Sequence, residues 1–151
     1  MEVNLLSYNI IRKPEDLSQS ISRELVIEFL YKYLDKFGDS KSAISKCLDY
    51  ALADKEDKNG FILTAYIDDK MVGVVVMIGT GMKEYIPENF LVYVAVNSEY
   101  RGQGIGGEII KKAIDMAEGD VALHVEYDNP AKRLYERLGF KNKYAEMRYA
   151  K

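Results

Sequence analysis

The chain has 151 residues, of which 48% are hydrophobic and 30% charged, a balance that predicts one globular domain over residues 1–151 and excludes wholesale disorder. Its 21 Lys and Arg against 24 Asp and Glu leave a formal charge of −3, which argues against a generic nucleic-acid binder. One cysteine and one histidine cannot build a disulfide framework or a Cys/His zinc site. With no signal layout and no apolar run of ~18 residues, a soluble cytoplasmic protein is expected.

The first half of the chain predicts one strand followed by two helices. An apolar stretch from Val3 to Ile11 is typical of a strand. Pro14 then opens a helical stretch in which apolar residues recur at helical spacing up to Gly38. A second helix is predicted from about Asp39 to Asp54, with Cys47 as a small buried side chain on its apolar stripe. A polar loop follows this helix.

The pattern then changes to strands. Segments 61–67 and 71–78 are rich in β-branched residues and flank a short turn, which predicts an antiparallel hairpin. A strongly apolar strand is predicted over 90–96. A glycine-rich turn follows it and leads into an amphipathic helix that Gly119 ends.

The last part of the chain predicts a strand over 121–126, a helix over 130–138 and a final strand over about 144–150. Asn129 and Pro130 supply the N-cap and the first residue of the helix. The complete order is strand, two helices, three strands, helix, strand, helix and strand. That order predicts an α/β (α+β) arrangement with a mixed sheet.

The segment from Leu91 to Gly107 carries the clearest chemical signal, because it joins a buried strand, a polar turn, a run of glycines and a helix. Glycines let the backbone approach a ligand, and the free amides at a helix N-terminus carry partial positive charge. Arg101 adds a fixed positive charge beside them. These features predict an anion-binding site.

Three anion-binding patterns compete for these glycines. The dinucleotide-binding string G-x-G-x-x-G is met from Gly102 to Gly107, with Glu126 near the position of its acid. However, a polar lead-in separates the glycines from the strand, and an antiparallel hairpin precedes them. The Gly-Lys-Ser/Thr of a Walker A loop is absent. The third pattern, R-x-x-G-x-G, is met from Arg101 to Gly106.

Two motifs of the chain resemble those of the GNAT acetyltransferase superfamily. The segment from Val94 to Gly107 is similar to the family's pyrophosphate-binding motif and its lead-in. The segment from Asn129 to Phe140 resembles the second signature, with an asparagine, a tyrosine six residues on and a terminal Gly-Phe. A helix and a strand separate the two motifs, as in the family. The resemblance implies the GNAT fold, a mixed central sheet of six to seven strands with helices on both faces.

The resemblance also implies an N-acetyltransferase that moves an acetyl group from acetyl-CoA to an amine in a ternary complex, without metal. The cofactor-binding residues that it implies lie on the fourth strand, in the glycine turn and before the last helix: Val94, Ala95, Val96, Arg101, Gly102, Gln103, Gly104, Ile105, Gly106, Gly107 and Asn129. The implied partners are acetyl-CoA and a small-molecule or peptide amine. A nucleic-acid or membrane partner is not implied, and a homodimer is allowed.

For catalysis, the resemblance places Tyr135 where the family's tyrosine protonates the departing CoA thiolate, although the residue could instead be a core aromatic. No acid precedes Val96 on its strand, so the amine is expected to lose its proton through water. Tyr93, Glu126 or His124 would assist that step, and Glu126 is the assigned candidate. Two alternatives remain open: acetylation of a protein lysine or N-terminus, and a CoA-binding sensor without turnover.

Overall fold

The structure is a computed structural model that describes residues 5–53 and 59–151. In chain order, the described elements are β1 (Ser7–Ile11), α1 (Arg23–Leu34), α2 (Lys41–Ala51), β2 (Phe61–Ile67), β3 (Lys70–Gly79), β4 (Asn89–Val96), α3 (Ile105–Met116), β5 (Val121–Leu123) and α4 (Ala131–Arg137). Short 3-10 turns lie at 14–16, 35–37 and 98–100.

The described strands form one sheet in the order β1-β2-β3-β4-β5. The first three pairings are antiparallel, and β4 pairs with β5 in parallel, so the sheet is mixed as predicted. The predicted hairpin is confirmed: β2 and β3 are joined by Asp68 and Asp69, and Asp68 takes a left-handed φ of 54°. A positive φ in a two-residue loop suits the twist of the flanking strands.

Helices cover both faces of the sheet, as predicted. Because successive strand residues point to opposite faces, β2 sends Ile62 into one cluster and Leu63 into the other. The first cluster packs the sheet against α1 and α2 through Val26, Leu30, Ile44 and Leu48. The second packs it against α3 through Ile105, Ile109, Ile110 and Ala113, with Leu134 and Tyr135 of α4 at its edge.

The prediction of a continuous helical stretch from Pro14 to Gly38 is wrong. Residues 14–16 form a 3-10 turn, and α1 begins anew after Ser22, whose hydroxyl oxygen accepts the Leu25 N–H at 3.1 Å. Such a cap satisfies an amide that has no partner inside the helix and fixes the starting point. Ser40 caps α2 in the same way through the Ala43 N–H. Helical spacing of apolar residues does not reveal where one helix stops and another begins.

The strand predictions need three further corrections. The strand predicted over 121–126 ends at Leu123, no strand forms over 144–150, and the sheet has five strands rather than six to seven among the described residues. Residues 141–151 are exposed throughout. Local β-propensity alone does not make a strand, because a strand needs a paired neighbour and a buried face. The predicted starts and ends at Val3 and Asp54 lie outside the described residues.

Candidate active site

The parallel pair β4 and β5 is open along most of the length of β4. The two strands share three residue pairs, from Asn89 with Val121 to Leu91 with Leu123. Strand β4 continues for five more residues to Val96, whereas β5 stops at Leu123. This part of β4 therefore has one edge bonded to β3 and the other edge facing a gap between the strands.

A bulge in β4 decides which of its backbone groups face the gap. Met77 pairs with Leu91 and Val76 pairs with Tyr93, so Val92 is the extra residue. Farther along, the Asn97 N–H donates to the Val72 carbonyl of β3 at 2.9 Å.

Backbone groups alternate between the two edges of a strand, so residues 93 and 95 share the β3 edge with residue 97. The N–H and C=O of Val94 and Val96 therefore face the gap, as the predicted role of these two residues requires. The backbone of Ala95 faces β3 instead, and its side chain is buried in the α1–α2 cluster.

The glycine turn needs glycine for its backbone conformation. Gly102 and Gly104 both have φ near 79°, a left-handed conformation that costs other residues energy. A Cβ placed at either residue would meet no atom within 4 Å, so the outer side of the turn is open. Gly104 is the N-cap of α3, and the first N–H bonded within the helix belongs to Glu108. The N–H groups of residues 105–107 therefore lie free at the helix start.

Gly106 and Gly107 serve a different purpose from Gly102 and Gly104. A Cβ at Gly106 would lie 3.3 Å from Cδ2 of Leu134, and one at Gly107 would lie 3.5 Å from Cδ1 of the same residue. Gly106 therefore leaves room for the Leu134 side chain of α4, whereas a Cβ at Gly107 would make an ordinary contact with it. Ile105 is buried with 4% of its surface exposed, so only its backbone is available to a ligand at the turn.

Arg101 lies at the start of the glycine turn with an exposed side chain. Its Nη2 donates to the backbone carbonyl of Tyr33 in the last turn of α1, at 2.8 Å. The guanidinium therefore ties the glycine turn to α1. Gln103 is also exposed on this turn.

The second motif builds α4 and holds Tyr135 at its inner side. Asn129 Oδ1 accepts the Ala131 N–H at 2.9 Å, as the predicted cap requires, although α4 begins at Ala131, one residue later than predicted. Gly139, with φ of 106°, ends the helix, and Phe140 turns back so that its ring meets the Tyr135 ring edge-on at 5.7 Å. Burial raises the pKa of the Tyr135 hydroxyl to about 12.

His124 and Glu126 follow the end of β5, and both side chains are exposed. The His124 ring packs edge-on against Phe90, with centroids 4.7 Å apart. The Glu126 backbone carbonyl accepts the Asn129 N–H at 3.0 Å. Both residues are in the described part of the chain, and their side chains form no hydrogen bond with each other.

A groove of about 510 Å³ lies on the α2 face of the sheet, next to the point where the β4–β5 ladder ends. Nearly all of its wall is apolar, and the residues that line it are Lys46, Cys47, Tyr50, Ile78, Phe90, Val92 and His124. The groove was not predicted from the sequence, because it depends on the bulge at Val92 and on how α2 crosses the sheet.

A second feature missed by sequence analysis is a hydrogen bond between β4 and the start of α2. The Tyr93 hydroxyl donates to Asp39 Oδ2 at 2.6 Å. Tyr93 is 6% exposed, whereas Asp39 is exposed. Burial first, and then the Asp39 carboxylate, raise the pKa of Tyr93 well above its ordinary value. Nothing in the local sequence signals this contact, because 54 positions separate its two residues.

Outside this region, a cavity of about 680 Å³ lies beside the loop between β3 and β4, with Glu84, Glu88 and Glu118 in its wall. Within 5–53 and 59–151, no group of three or more His, Cys, Asp or Glu side chains could hold a metal ion. None of the helices formed by these residues has the length and hydropathy needed to cross a bilayer.

Comparison with known proteins identifies the fold and the family. The sequence model of the acetyltransferase (GNAT) family matches residues 20–140, which include both motifs. The N-alpha-acetyltransferase 30 of Xenopus laevis is 40% identical over 81 residues, which are 50% of this chain and 30% of that protein. The chain thus matches less than a third of that relative's length.

Two solved structures show the same fold. A possible acetyltransferase from Clostridium difficile 630 has a TM-score of 0.66 at 22% identity, with 97% of each chain covered. The ribosomal-protein-alanine N-acetyltransferase from Brucella melitensis biovar Abortus 2308 has a TM-score of 0.64 at 17% identity, with 97% of this chain and 99% of that one covered. With the family match, these likenesses confirm the predicted GNAT fold, and the GNAT family uses acetyl-CoA as cosubstrate. The chain therefore belongs to the acetyltransferase (GNAT) family.

Proposed function

We propose that the protein transfers an acetyl group from acetyl-CoA to a primary amine by direct attack in a ternary complex. The observation that carries this proposal is the gap between β4 and β5, which leads directly to the open glycine turn and the free amides of α3. The gap and the turn together suit a long ligand that has amide groups at one end of its length and phosphates at the other.

The residues around the gap fit acetyl-CoA in three respects. The backbone of Val94 and Val96 can pair with the amides of the pantetheine arm, as a neighbouring strand would. The amides of residues 105–107 can bind the pyrophosphate at the N-terminus of α3. Asn129 uses its Oδ1 for the cap of α4, which leaves its amide nitrogen free to donate to the ligand.

The acetyl transfer itself requires stabilisation of a developing oxyanion. An N–H of Val94 or Val96 that faces the gap can donate to the thioester oxygen as its negative charge increases. Tyr135 would then protonate the thiolate of CoA as it leaves. Burial raises the pKa of Tyr135 to about 12, so the phenol is protonated at neutral pH but is a weaker acid than an exposed tyrosine.

The proton lost by the amine needs an acceptor, and the geometry favours His124 over Glu126. His124 lines the groove beside the end of the β4–β5 ladder, whereas Glu126 is exposed beyond it. Tyr93 already donates its hydroxyl proton to Asp39 and is poorly suited to accept another. We propose that His124 receives the proton through water.

The α-amine of a peptide is the acceptor class with separate support. The relative that shares 40% identity over half of this chain is an N-alpha-acetyltransferase by name. The aligned fraction of that relative is small, so this acceptor class is a proposal for the present chain. A small-molecule amine is the alternative acceptor.

The test is CoA release over a panel of alkylamines, polyamines and peptides with free N-termini, with mass spectrometry of the products. Amine-dependent release with a matching acetylated product supports the proposal. Binding of acetyl-CoA without release on any member of the panel contradicts it and favours a CoA-binding sensor. A panel in which only peptides react identifies the α-amine acceptor class.

A further inference from the structure

We propose that Asp39, held by the Tyr93 hydroxyl, is the carboxylate that binds the ammonium group of the acceptor, and that the adjacent groove receives an apolar group carried by that acceptor. The inference rests on the proposed function and adds the substrate class, a primary amine with an apolar substituent. Asp39 would contact the substrate, and Tyr93 would act as a positioning residue.

The position of Asp39 links it to the groove. Burial, and after it the Asp39 carboxylate, raise the pKa of the Cys47 thiol to about 11, so Asp39 is near enough to Cys47 to influence its charge. Cys47 is part of the groove wall. Tyr93 follows Val92, another residue of that wall. A negative charge therefore lies near a groove whose surface is almost entirely apolar, although Lys46 and His124 are among the residues that line it.

The hydrogen bond to Tyr93 fixes one carboxylate oxygen and leaves the rest of the group accessible. Asp39 is exposed although its Oδ2 accepts a bond from a side chain that is almost fully buried. Tyr93 itself is anchored in the core by its ring. An oriented carboxylate loses less freedom when it binds a cation than a mobile one does.

The charge of Asp39 reaches one cation of the chain itself. Arg148, in the exposed segment after α4, has its pKa raised first by its hydrogen bond to Glu146 and also by the charge of Asp39. A guanidinium of the chain itself thus lies within the field of this carboxylate. The ammonium of an acceptor would meet the same field, with a groove beside it that can take apolar surface.

The chemistry assigns this role to binding rather than to proton transfer. Alkylamines are mostly protonated at neutral pH and enter as cations. The amine nitrogen becomes positively charged again when it attacks the thioester carbonyl, so the carboxylate stabilises the bound ammonium and the transition state to a similar extent and lowers KM with little change in kcat. The amine then has to release its proton elsewhere before it attacks.

The experiment measures the binding of benzylamine, which joins an ammonium to an apolar ring, and of aniline, which has the same ring and is neutral at pH 7. Calorimetry is performed in the presence of CoA, so that no turnover occurs. The variants are Asp39→Asn, Asp39→Glu and Tyr93→Phe. Asp115→Asn is the matched control, because Asp115 is an exposed carboxylate on α3, across the sheet.

We expect Asp39→Asn to weaken benzylamine binding about ten-fold or more and to leave aniline binding unchanged. Tyr93→Phe should weaken benzylamine binding by roughly two- to ten-fold, and Asp39→Glu should restore part of the loss seen in Asp39→Asn. The control should behave as the wild type. With benzylamine as acetyl acceptor, the loss should appear in KM rather than in kcat.

An equal loss for benzylamine and aniline in Asp39→Asn overturns the inference, because it indicates a structural bond only. Unchanged benzylamine binding in that variant overturns it as well, as does a wild type that does not prefer benzylamine to aniline. Amine-dependent CoA release by the wild type separates these failures from failure of the proposed function. Absence of release on the whole panel overturns the proposed function, and the inference with it.

Discussion

Replacing Gly104 with alanine separates the cost of backbone strain from the loss of a ligand contact. Gly104 has φ of 79°, and a Cβ there meets no atom within 4 Å, so the folded chain accommodates the methyl group sterically. The left-handed conformation costs an alanine about 1–2 kcal/mol. For a chain of this length, that loss corresponds to a fall in Tm of roughly 2–8 °C.

Gly139→Ala is the matched control for this variant. Gly139 also has a positive φ, 106°, and open space around its Cβ, but it lies at the end of α4 rather than at the start of α3. Both variants should therefore lose similar stability. Only Gly104→Ala should lose affinity for acetyl-CoA, because its methyl group projects into the open side of the turn, where we propose that the pyrophosphate binds.

The expected loss of affinity can be estimated from the contacts at stake. A charge-assisted hydrogen bond contributes about 1.5–3 kcal/mol, which corresponds to roughly a 10- to 150-fold change in Kd. Calorimetric titration with acetyl-CoA and thermal denaturation of the same samples provide both quantities. If Gly104→Ala binds acetyl-CoA as tightly as Gly139→Ala does, the turn is structural and the phosphate assignment is refuted. Gly106→Val is a poorer probe, since its side chain would first disturb Leu134.

Three further predictions concern single side chains. Tyr135→Phe should lower kcat by about 10²- to 10⁴-fold. Acetyl-CoA affinity and Tm should change little, because the ring packing against Phe140 is kept. Steady-state kinetics that show turnover within a few-fold of wild type would make Tyr135 a core residue only. Arg101→Ala should weaken acetyl-CoA binding by about 1.5–3 kcal/mol in calorimetry. Its Tm should stay nearly constant, since the lost hydrogen bond to Tyr33 is exposed. Unchanged affinity would mean that Arg101 only connects the glycine turn to α1. Burial raises the pKa of the Cys47 thiol to about 11, so the thiol should react with iodoacetamide slowly at pH 7.5 and progressively faster up to about pH 11. In the urea-unfolded chain, the midpoint of the pH dependence of this reaction should lie near the ordinary thiol pKa of 9. A midpoint near 9 in the folded protein would contradict the burial.

Patterns local to the sequence predicted the parts of the fold whose signal is itself local. The hairpin of β2 and β3, the buried strand β4 and the amphipathic helix α3 all follow from the spacing of their apolar residues. The Asn129 cap and the stop at Gly139 follow from the chemistry of helix ends. In each case, the residues that decide the structure lie within one element or its flanks.

The candidate site was predictable where it depends on the two motifs and not where it depends on tertiary packing. The glycine turn and Tyr135 were found because they belong to those motifs. The bulge at Val92 shifts the strand by one residue, and this shift sends the backbone of Val94 and Val96, but not that of Ala95, toward the gap. No single residue in β4 signals that irregularity.

Long-range contacts and unpaired segments account for the remaining errors. The bond between Tyr93 and Asp39 joins residues that meet only when α2 packs on the sheet. The strand predicted over 144–150 has suitable residues, but no neighbouring strand pairs with it. The role of Glu126 stays a prediction, and the alternation from which it was inferred runs past the end of β5 at Leu123.

The central claim is that the gap between β4 and β5 holds acetyl-CoA while an amine attacks its acetyl group. The most direct measurement follows acetylated amine and free CoA together, by mass spectrometry and thiol detection, when the wild-type protein is mixed with acetyl-CoA and the amine panel. The account predicts equimolar appearance of both products, dependent on the amine, and their loss in Tyr135→Phe. Acetyl-CoA that binds but yields neither product with any amine would contradict it.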